Sequence, residues 1–458
     1  MADIIFKMTH VNLFEALGWK KGVGEDSGNF EKSLPEVHKS IAVPAHYSFW
    51  RKLLVFAGPG FLVAVGYMDP GNWATDLAGG AKFGYALLAV ILLSNFFAMI
   101  LQHLALKLGI VTGRDLAQIC KEKYSKKTAI FLWLMAEIMI MACDLAEVLG
   151  SAIALNLLFG IPILWGVIIT VLDVFIILLL QNKGFRYIEA VVVALIGTIT
   201  LSFIAELIFS SPELGPLLRG FIPTTQLVFN GEMLYIAIGI LGATVMPHNL
   251  YLHSAIVQTR NYEETKEGKK EAIKFATIDS TLALTIALFV NAAILIVSAA
   301  AFHFNGHNGV AEIEEAYKLL SPVLGTSLAS VLFAMALLAS GQNATITGTL
   351  AGQIIMEGFI NLRIKPWMRR MITRLLAIIP AVIFIAAYGD RSVTDLLILS
   401  QVILSIQLPF AIFPLVAFTS SKKVMGEFAN GKIVTFLSWA IALLIGSLNV
   451  WLIYSILK

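Results

Sequence analysis

The chain has 458 residues, of which 58% are hydrophobic and 14% are charged. Soluble domains contain about 25% charged residues, so this composition excludes an ordinary soluble enzyme. Two cysteines are too few for the disulfide framework of a small secreted domain, and no basic segment interleaved with aromatic residues indicates a nucleic-acid partner. The composition predicts an all-α polytopic membrane protein that lies in a lipid bilayer.

Apolar runs near the roughly 20 residues that an α-helix needs to cross a bilayer predict eleven transmembrane helices. A polar N-terminal tail, residues 1–48, precedes them. We expect residues 49–421 to form a ten-helix core and residues 422–458 to carry the eleventh helix. The predicted spans are 53–80, 83–106, 128–158, 162–181, 187–209, 232–257, 274–301, 323–350, 372–388, 395–419 and 433–457.

The distribution of lysine and arginine predicts the orientation of these spans. With the N-terminus in the cytoplasm, the inner segments hold 28 of the 33 basic residues and the outer segments hold five. Cytoplasmic loops of membrane proteins are enriched in lysine and arginine, so the N-terminus is predicted to be cytoplasmic. An odd number of spans then places the C-terminus outside. We expect a multi-pass protein of the cell membrane.

Proline interrupts two of the predicted helices, the first and the sixth. Residues 66–72 read Gly-Tyr-Met-Asp-Pro-Gly-Asn, and residues 242–249 read Gly-Ala-Thr-Val-Met-Pro-His-Asn. Irregular backbone is tolerated in a bilayer where it lines a cavity or is buried in protein. A plain proline kink is the alternative for either helix alone. However, both breaks fall in the first helix of two successive five-helix sets, which is typical of transporter binding sites. We therefore predict a 5+5 inverted repeat with helices one and six broken at mid-membrane.

Four residues beside these breaks carry groups that bind cations. Asp69 places a carboxylate inside a span, where it costs about 2.5–3.5 kcal/mol on insertion scales and so indicates a function. Asn72 adds an amide oxygen, and Ala243 adds a backbone carbonyl in the unwound stretch. Met246 adds a thioether sulfur, which favours softer transition metals over Mg²⁺ and Ca²⁺. Buried methionine is more often ordinary core, but its place opposite Asp-Pro-Gly-Asn and next to Pro-His favours metal binding.

The paired motifs, Asp-Pro-Gly-Asn at 69–72 and Ala-Thr-Val-Met-Pro-His at 243–248, resemble the signature motifs of the Nramp family of divalent metal transporters. The similarity extends over the membrane region and includes Gly-Pro-Gly at 58–60. It implies a fold like that of the sodium–leucine symporters and proton-coupled uptake of manganese, ferrous iron and similar ions. It also implies that Gln401 joins the metal ligands in an occluded state. Branches that carry magnesium or aluminium depart at the methionine, so Met246 favours the transition-metal branch.

Helix three carries three carboxylates, at Glu137, Asp144 and Glu147. Positions 137 and 144 lie on one helical face, and position 147 lies about 80° further round. The family resemblance implies that this helix carries the proton from the metal site toward the cytoplasm. The alternative is an ion pair with inner arginines such as Arg369 or Arg374, and the two interpretations are compatible.

Two histidines of the sixth helix are further candidates for the proton path. His248 follows the break directly, and His253 lies seven residues after Met246 on the same face. Both titrate near neutral pH, although a membrane histidine is as often a hydrogen-bonded packing residue. Asp173 in helix four is explained equally well by packing against a hydroxyl of a neighbouring helix, so it stays outside the predicted path.

We predict a secondary transporter that imports Mn²⁺, Fe²⁺ and also Co²⁺ or Cd²⁺ together with protons, and not an enzyme. The sequence lacks a Walker A motif, a zinc-protease helix and a Gly-x-Ser-x-Gly motif. We expect no cofactor, because the metal ion is cargo, and no obligatory protein partner. The alternative is a sodium-coupled organic-solute symporter of the same fold. A membrane metalloenzyme or metal sensor could use the same ligands, but an enzyme would also need an open coordination position and a general base.

Overall fold

The computed structural model describes residues 20–21, 32–44, 46–173, 184–310, 312–388 and 392–457. These residues are almost entirely helical, so the predicted all-α class is confirmed. The described helices are α1 (Phe49–Phe56), α2 (Pro59–Val65), α3 (Pro70–Phe83), α4 (Leu88–Thr112), α5 (Leu116–Lys123), α6 (Lys126–Phe159), α7 (Ile163–Ile169), α8 (Phe185–Ser210), α9 (Leu214–Gly220), α10 (Gln226–Phe229), α11 (Gly231–Thr244), α12 (Pro247–Ile256), α13 (Lys266–Ala301), α14 (Ile313–Leu324), α15 (Ser327–Ile360), α16 (Pro366–Tyr388), α17 (Ser392–Ser420), α18 (Lys422–Met425) and α19 (Lys432–Leu457).

Eight helical segments among the described residues are long and apolar enough to cross a bilayer. A ninth results if Phe49–Phe56 and Pro59–Met68, which meet at 42°, form one span. One of the eight, Pro70–Thr112, includes residues of the first and second predicted spans, because a 3-10 turn at Gly84–Leu87 joins α3 to α4. The chain is therefore a multi-pass membrane protein.

Two shorter apolar helices, Ile163–Leu172 and Met371–Ala387, overlap the fourth and ninth predicted spans. The fourth predicted span continues to residue 181, and residues 174–181 lie outside the described part of the chain. The number of eleven spans and the inverted repeat remain predictions, as does the division at residues 48 and 421.

Several predicted boundaries are wrong by up to ten residues. Helix α13 begins at Lys266 rather than at 274, and α15 continues to Ile360 rather than ending at 350. Thr265 caps α13 by accepting a hydrogen bond from the backbone N–H of Gly268. Such a cap stabilises a polar first turn outside the apolar run. Hydropathy locates the apolar part of a helix, whereas the helix itself continues as far as its backbone hydrogen bonds do.

The two predicted helix interruptions are confirmed. Asp69 is extended (φ −71°, ψ 166°) between α2 and α3, and Pro70 begins α3. Met246 is extended (φ −78°, ψ 121°) between α11 and α12, and Pro247 begins α12. A residue before proline is disfavoured in the helical region, and proline suits the first position of a helix, so each sequence both ends one helix and starts the next.

Polar contacts join the packed helices. The Asn343 amide of α15 donates to Val192 O of α8 (3.3 Å), and the Ser405 hydroxyl of α17 donates to Asn449 of α19 (3.0 Å). Such hydrogen bonds favour helix association where the surroundings are apolar. Large apolar side chains are exposed on the outer faces of the bundle, where lipid is expected: Leu54, Phe96, Leu134, Leu201, Ile383 and Phe436.

The described part of the tail lies against the segments that follow α12 and α15. Strand β1 (Lys20–Lys21) pairs antiparallel with β4 (Leu362–Arg363), and β2 (Ile41–Ala42) pairs parallel with β3 (Arg260–Asn261). The β2–β3 pair places the tail directly after the sixth predicted span. The tail is therefore attached to the same end of the bundle as the segment between the sixth and seventh spans.

Candidate metal site

The side-chain amide of Asn72 lies between the two broken helices. It donates to Ala243 O (3.0 Å) on the sixth helix and to Gly66 O (3.3 Å) on the first. In an unbroken helix these carbonyls would accept from residues 70 and 247, which are prolines without an N–H. Each proline therefore frees one backbone carbonyl, and both freed carbonyls point to the same amide group.

The Asp69 carboxylate lies at the same point and caps α3. Its Oδ1 atom accepts from the backbone N–H of Asn72 (2.9 Å) and from the Asn72 amide (2.7 Å). Its Oδ2 atom has no hydrogen-bond partner among the described residues. The Asn72 nitrogen thus occupies a position surrounded by three oxygen atoms, which is what a cation requires. An ion at this position would displace the amide nitrogen, and a turn of the displaced Asn72 side chain would direct its Oδ1 atom toward the ion.

Met246 and Gln401 complete the predicted ligand set. Met246 lies in the extended stretch three residues after Ala243 and is fully buried. Gln401, on α17, packs so closely against Gly71 that a Cβ there would lie 1.7 Å from its Nε2 atom. Its Oε1 atom has no hydrogen-bond partner in the described part of the chain. The structure therefore brings the Asp69, Asn72, Ala243 and Gln401 positions together around the two breaks.

All five predicted ligand residues have 0% solvent exposure, so this conformation encloses the site. Within the described ranges, no group of three or more His, Cys, Asp or Glu side chains could hold a metal ion. A metal at the breaks would instead take one carboxylate, neutral oxygen donors and a thioether. This donor set suits a divalent transition metal better than Mg²⁺ or Ca²⁺.

Comparison with known proteins agrees with the paired motifs. Residues 60–455 match the family described as Nramp, natural resistance-associated macrophage protein-like. The chain belongs to the Nramp family. It is 62% identical over 421 residues to the divalent metal cation transporter MntH of Nostoc sp., covering 92% of this chain and 95% of that protein. It is 57% identical over 439 residues to MntH of Bradyrhizobium diazoefficiens, covering 96% of each. The resemblance inferred from the motifs is confirmed.

Solved structures show the fold of this Nramp protein. The manganese transporter of Eremococcus coleocola, in complex with an aromatic bis-isothiourea compound, is 43% identical, with a TM-score of 0.86 and coverage of 92% of this chain and 90% of that chain. Mhp1, a nucleobase-cation-symport-1 family transporter, is 14% identical with a TM-score of 0.59, covering 87% and 93%. The Mhp1 likeness indicates a shared fold and nothing about substrate.

The three acids of α6 lie beside arginines of α16. Arg369 donates to both carboxylate oxygens of Glu137 (3.1 and 3.0 Å). Arg374 lies 3.8 Å from the Glu147 carboxylate and donates to the backbone O of Asp144 (3.5 Å). The predicted ion pairs of Glu137 and Glu147 are therefore present. Whether these acids also carry protons stays a prediction.

Asp173 belongs to the same polar cluster. It forms a buried ion pair with Arg374 and accepts a 3.5 Å hydrogen bond from the hydroxyl of Thr345 on α15. Arg374 also donates to that hydroxyl (3.1 Å). The contact with a neighbouring hydroxyl, one of the two explanations offered by the sequence, is present, and the arginine adds a charge partner that the sequence did not reveal.

The two predicted histidines have different surroundings. His248 is buried directly after the break, and its Nδ1 atom has no hydrogen-bond partner among the described residues. His253 Nδ1 lies 2.9 Å from Gln102 Oε1, and the Gln102 amide donates to the Tyr67 hydroxyl (2.9 Å). His253 is thus linked to the first helix through Gln102, while His248 lies next to the candidate metal site.

Sequence reasoning missed a polar cluster around the link between α1 and α2. We call it the inner clasp and define it by Arg186, Glu189, Arg260 and Asp279. Both arginines donate to backbone carbonyls of residues 54–57, at 2.6–3.5 Å. Glu189 binds both arginines, at 3.0 and 2.5 Å. The clasp therefore fixes the inner end of the first helix.

Asp279, which lies on α13, holds the same connection between α1 and α2. It accepts from the backbone N–H groups of Gly58 (3.2 Å) and Gly60 (2.6 Å). Gly58 has φ +145°, and a Cβ there would lie 2.3 Å from the Glu189 carboxyl carbon. The Gly-Pro-Gly sequence at residues 58–60 was the feature of the sequence that could have indicated this contact. Glycine has no side chain, so another segment can approach its backbone closely.

Two further buried carboxylates were also missed. Asp76 on α3 and Glu206 on α8 are 1% and 0% exposed, and neither has a hydrogen-bond partner among the described residues. Asp76 lies seven residues after Asp69, so both occupy one helical face. That spacing was the signal in the sequence. Glu206 lies near the end of an apolar run, where a charged residue usually marks the end of a transmembrane helix.

Proposed function

We propose that the chain is a secondary transporter that imports divalent transition metal ions, Mn²⁺ and Fe²⁺ as well as Co²⁺ and Cd²⁺, coupled to protons. The central observation is the free Oδ2 atom of Asp69 beside two backbone carbonyls that prolines release. A buried carboxylate needs a proton, a cationic side chain or a metal ion to offset its loss of water. The similarity to divalent metal cation transporters of the MntH type supports metal as the cargo.

We assign the ion to Asp69, Asn72, the Ala243 carbonyl and Met246, with Gln401 as an additional ligand in the enclosed state. The carboxylate attracts any divalent cation, so it does not select among them. Met246 supplies the selectivity, because a hard ion gains little from sulfur and loses a water oxygen. The metal ion is cargo, and we expect no resident cofactor, no nucleic-acid partner and no obligatory protein partner.

We propose eleven spans in a 5+5 inverted repeat, with a cytoplasmic N-terminus and an external C-terminus in the cell membrane. The eight apolar helical segments, the bent first pair and the two shorter apolar helices support this number. The concentration of lysine and arginine in alternate segments supports the orientation. The fold shared with Mhp1 supports a transporter architecture.

Release of the ion requires a movement at the inner end of the site. The clasp holds residues 54–60 through Arg186, Arg260 and Asp279, directly before the broken first helix. Opening the clasp would free α1 and α2 and expose the space beneath Asp69. Closure of one end while the other opens is the general requirement of alternating access.

For the proton we propose a path from the metal site through His248 to Asp144 and Glu147, with Glu137 and His253 as further members. Asp144 and Glu147 are fully buried on α6, close to Arg374. A nearby guanidinium stabilises a carboxylate that has lost its proton. One divalent ion crossing 100 mV already gains about 4.6 kcal/mol, so the protons serve affinity and gating as well as energy.

A sodium-coupled organic-solute symporter fits the site less well. Asn249 approaches Gly66, and Gln401 approaches Gly71, more closely than a Cβ at either glycine would allow. These side chains occupy the space beside both breaks, which favours a small ion over an organic molecule as the cargo. Sodium would also gain nothing from Met246.

Flux in proteoliposomes tests the proposal. Purified protein is reconstituted with an encapsulated metal-sensitive dye, and Mn²⁺ or Cd²⁺ is added outside with Ca²⁺ or Mg²⁺ as competitor. We expect saturable quenching that is insensitive to a sodium gradient and accompanied by internal acidification. Sodium-dependent uptake of an organic solute without metal flux would support the symporter, and turnover without flux would indicate an enzyme.

A further inference from the structure

A groove of about 190 Å³ lies between α4 and α19, away from the candidate metal site. We call it the lateral groove and define it by Met99, Ile100 and His103 of α4 and Val434 and Leu437 of α19. Four of these five side chains are apolar, and none of the five is fully buried. Both helices belong to segments that are long and apolar enough to cross a bilayer, so the groove faces the hydrocarbon of the membrane.

The lateral groove has room for part of a lipid chain. An apolar cavity of about 150 Å³ takes up benzene, so a groove of 190 Å³ accommodates a segment of roughly six to eight carbon atoms. Two large apolar side chains of α19 continue the surface beside it, Ile433 at 76% and Phe436 at 72% exposure. The bilayer that surrounds such a surface supplies acyl chains.

Lys107 lies one helical turn beyond His103, about 6 Å nearer the C-terminus of α4. The lysine is only 8% exposed, and its ammonium donates to the side-chain oxygen of Asn430. The Asn430 amide nitrogen donates to the hydroxyl groups of Thr419 (3.0 Å) and Ser420 (3.4 Å), which directs its oxygen to the ammonium. Lys107 forms no ion pair within the described ranges of the chain. A neutral oxygen satisfies one of the three ammonium donors and leaves the charge unbalanced.

Lys432 adds a second positive charge at the same end of the lateral groove. It begins α19, two residues after Asn430 and two before Val434, and it is exposed. Glu427 is the only acid in residues 421–431, and it is bound to Lys266. Among the residues that the structure describes, Lys432 has no ion pair, and neither groove lysine donates to a carbonyl at a helix C-terminus. Both charges are therefore available to an anion.

The two lysines lie where the phosphate of a lipid is expected. Hydropathy ends the second predicted span at residue 106 and begins the eleventh at 433, so both ammonium groups are at the bilayer surface. The first turn of α19 contains no acidic residue, although the N-terminus of a helix favours negative charge. Lys432 in that turn increases the positive potential. The lysines and the helix terminus would together stabilise an anion at this end of the groove.

We propose that the lateral groove binds one anionic phospholipid, with a segment of an acyl chain along the groove and the phosphate between Lys107 and Lys432. The apolar lining alone would accept a chain of any lipid. The lysines select an anionic head group, because basic clusters beside membrane helices attract such lipids. The choline of phosphatidylcholine carries a positive charge close to its phosphate, so this lipid gains less from two lysines. The site lies outside the metal path and does not depend on the proposed transport.

Binding of lipids to the full-length protein tests the proposal. The protein is purified in a neutral detergent and titrated with phosphatidylglycerol or phosphatidylcholine of the same acyl chains, and native mass spectrometry counts the lipids bound. We expect the first phosphatidylglycerol to bind at least about tenfold more tightly than the first phosphatidylcholine. Glycerol 1-phosphate, which has no acyl chain, should bind at least about tenfold more weakly than phosphatidylglycerol, because it makes no apolar contact with the groove.

Variants of the two lysines test the head-group contacts. Lys107→Gln combined with Lys432→Gln should lower the affinity for phosphatidylglycerol at least about tenfold, to that for phosphatidylcholine. Glutamine at 107 can still donate to Asn430. If the double variant does not fold, Lys432→Gln alone, at an exposed position, should weaken binding about threefold. Lys126→Gln combined with Lys127→Gln removes the same charge from exposed positions at the start of α6 and should leave the preference unchanged.

A pair of variants on α19 tests the contact with the acyl chain. Leu437→Trp places a larger side chain in the lateral groove and should weaken binding of phosphatidylglycerol at least about fivefold. Leu443→Trp makes the same change at an exposed position outside the groove and should have no effect.

Three results would overturn the proposal. One is equal affinity of the wild-type protein for phosphatidylglycerol and phosphatidylcholine, which would show ordinary contact with surrounding lipid. Another is an equal loss of affinity in the lysine variants and in their matched control, which would show nonspecific attraction to a positive surface. The third is glycerol 1-phosphate binding as tightly as phosphatidylglycerol, which would indicate a site for soluble phosphates.

Discussion

The carboxylate at the first break and the carboxylates of α6 have opposite surroundings. Asp69 accepts hydrogen bonds from Asn72, a neutral donor, and forms no ion pair within the part of the chain that the structure describes. Glu137 and Glu147 lie beside Arg369 and Arg374. All three carboxylates lie on or beside helices of the same bundle.

This difference indicates that Asp69 and the carboxylates of α6 have different roles. An arginine beside a carboxylate offsets its negative charge, so an intact pair can fix helices, and a pair that breaks can pass a proton. Asp69 has only neutral neighbours in its immediate contacts, so a cation from outside the chain has to neutralise its ionised form. Charge satisfaction thus distinguishes Asp69 from Glu137 and Glu147, and the two carbonyls freed beside Asp69 distinguish it from Asp76, which is also buried without a hydrogen-bond partner among the described residues.

The largest expected effect is the loss of metal binding in Asp69→Asn. This change removes the charge and preserves the shape, so we expect Mn²⁺ affinity to fall by more than about 100-fold (about 2.7 kcal/mol). Asp76→Asn is the matched control, since Asp76 is buried seven residues further on the same helical face. Calorimetry should show near wild-type affinity in the control. Equal losses in both variants would place the binding energy elsewhere.

Arg374→Met should reduce stability more than Arg369→Met. It leaves Asp173 and Glu147 buried without their charge partner, and breaking a buried pair costs about 3–5 kcal/mol. Arg369→Met should cost about 1 kcal/mol or less, because Glu137 is partly exposed. Thermal unfolding in detergent measures both. Equal melting temperatures for the two variants would contradict this difference.

Met246→Ala should change selectivity rather than abolish binding. Space for a retained water makes the shell entirely oxygen, so Mn²⁺ affinity should fall about tenfold, or about 1.4 kcal/mol. Cd²⁺ should lose more, and Ca²⁺ or Mg²⁺ should begin to compete. Competition in the dye-quenching assay measures this. Continued indifference to millimolar Ca²⁺ and Mg²⁺, with unchanged Cd²⁺ affinity, would make Met246 a packing residue.

The smallest expected effect concerns proton coupling. Asp144→Asn removes one proton acceptor of the proposed path without touching Asp69, so metal affinity should persist. We expect the number of protons that enter with each metal ion to fall by about half or more, as measured by paired pH-sensitive and metal-sensitive dyes. An unchanged ratio would leave Asp144 with a structural role alone.

The sequence predicted the two breaks because proline acts locally. Asp-Pro at 69–70 and Met-Pro at 246–247 determine backbone conformation through their immediate neighbours. The family motifs then identified the candidate ligands. The contact between the Asn72 amide and both freed carbonyls joins residues 171 positions apart, so only the packed structure could reveal it.

The inner clasp could not be read from the sequence for a related reason. Glu189 and Asp279 lie near the ends of apolar runs, where a charged residue usually marks the bilayer surface. Their partners, Arg260 and the glycines of residues 58–60, are between 71 and 221 positions away in the chain. Many hydrogen bonds of the inner clasp are made with backbone C=O or N–H groups. Every residue has a backbone C=O group and nearly every residue has an N–H group, so the sequence does not indicate which ones take part.

The position of a bound ion is the most direct test of the central claim, that Asp69 and the carbonyls released by the two prolines form the metal site. Crystals of the protein soaked in Mn²⁺ are measured at the manganese absorption edge to obtain an anomalous difference map. We predict one strong peak between the two helix breaks, within about 2.0–2.6 Å of an Asp69 carboxylate oxygen and of Ala243 O. A peak among the acids and arginines of α6 and α16, with none beside Asp69, would contradict the account.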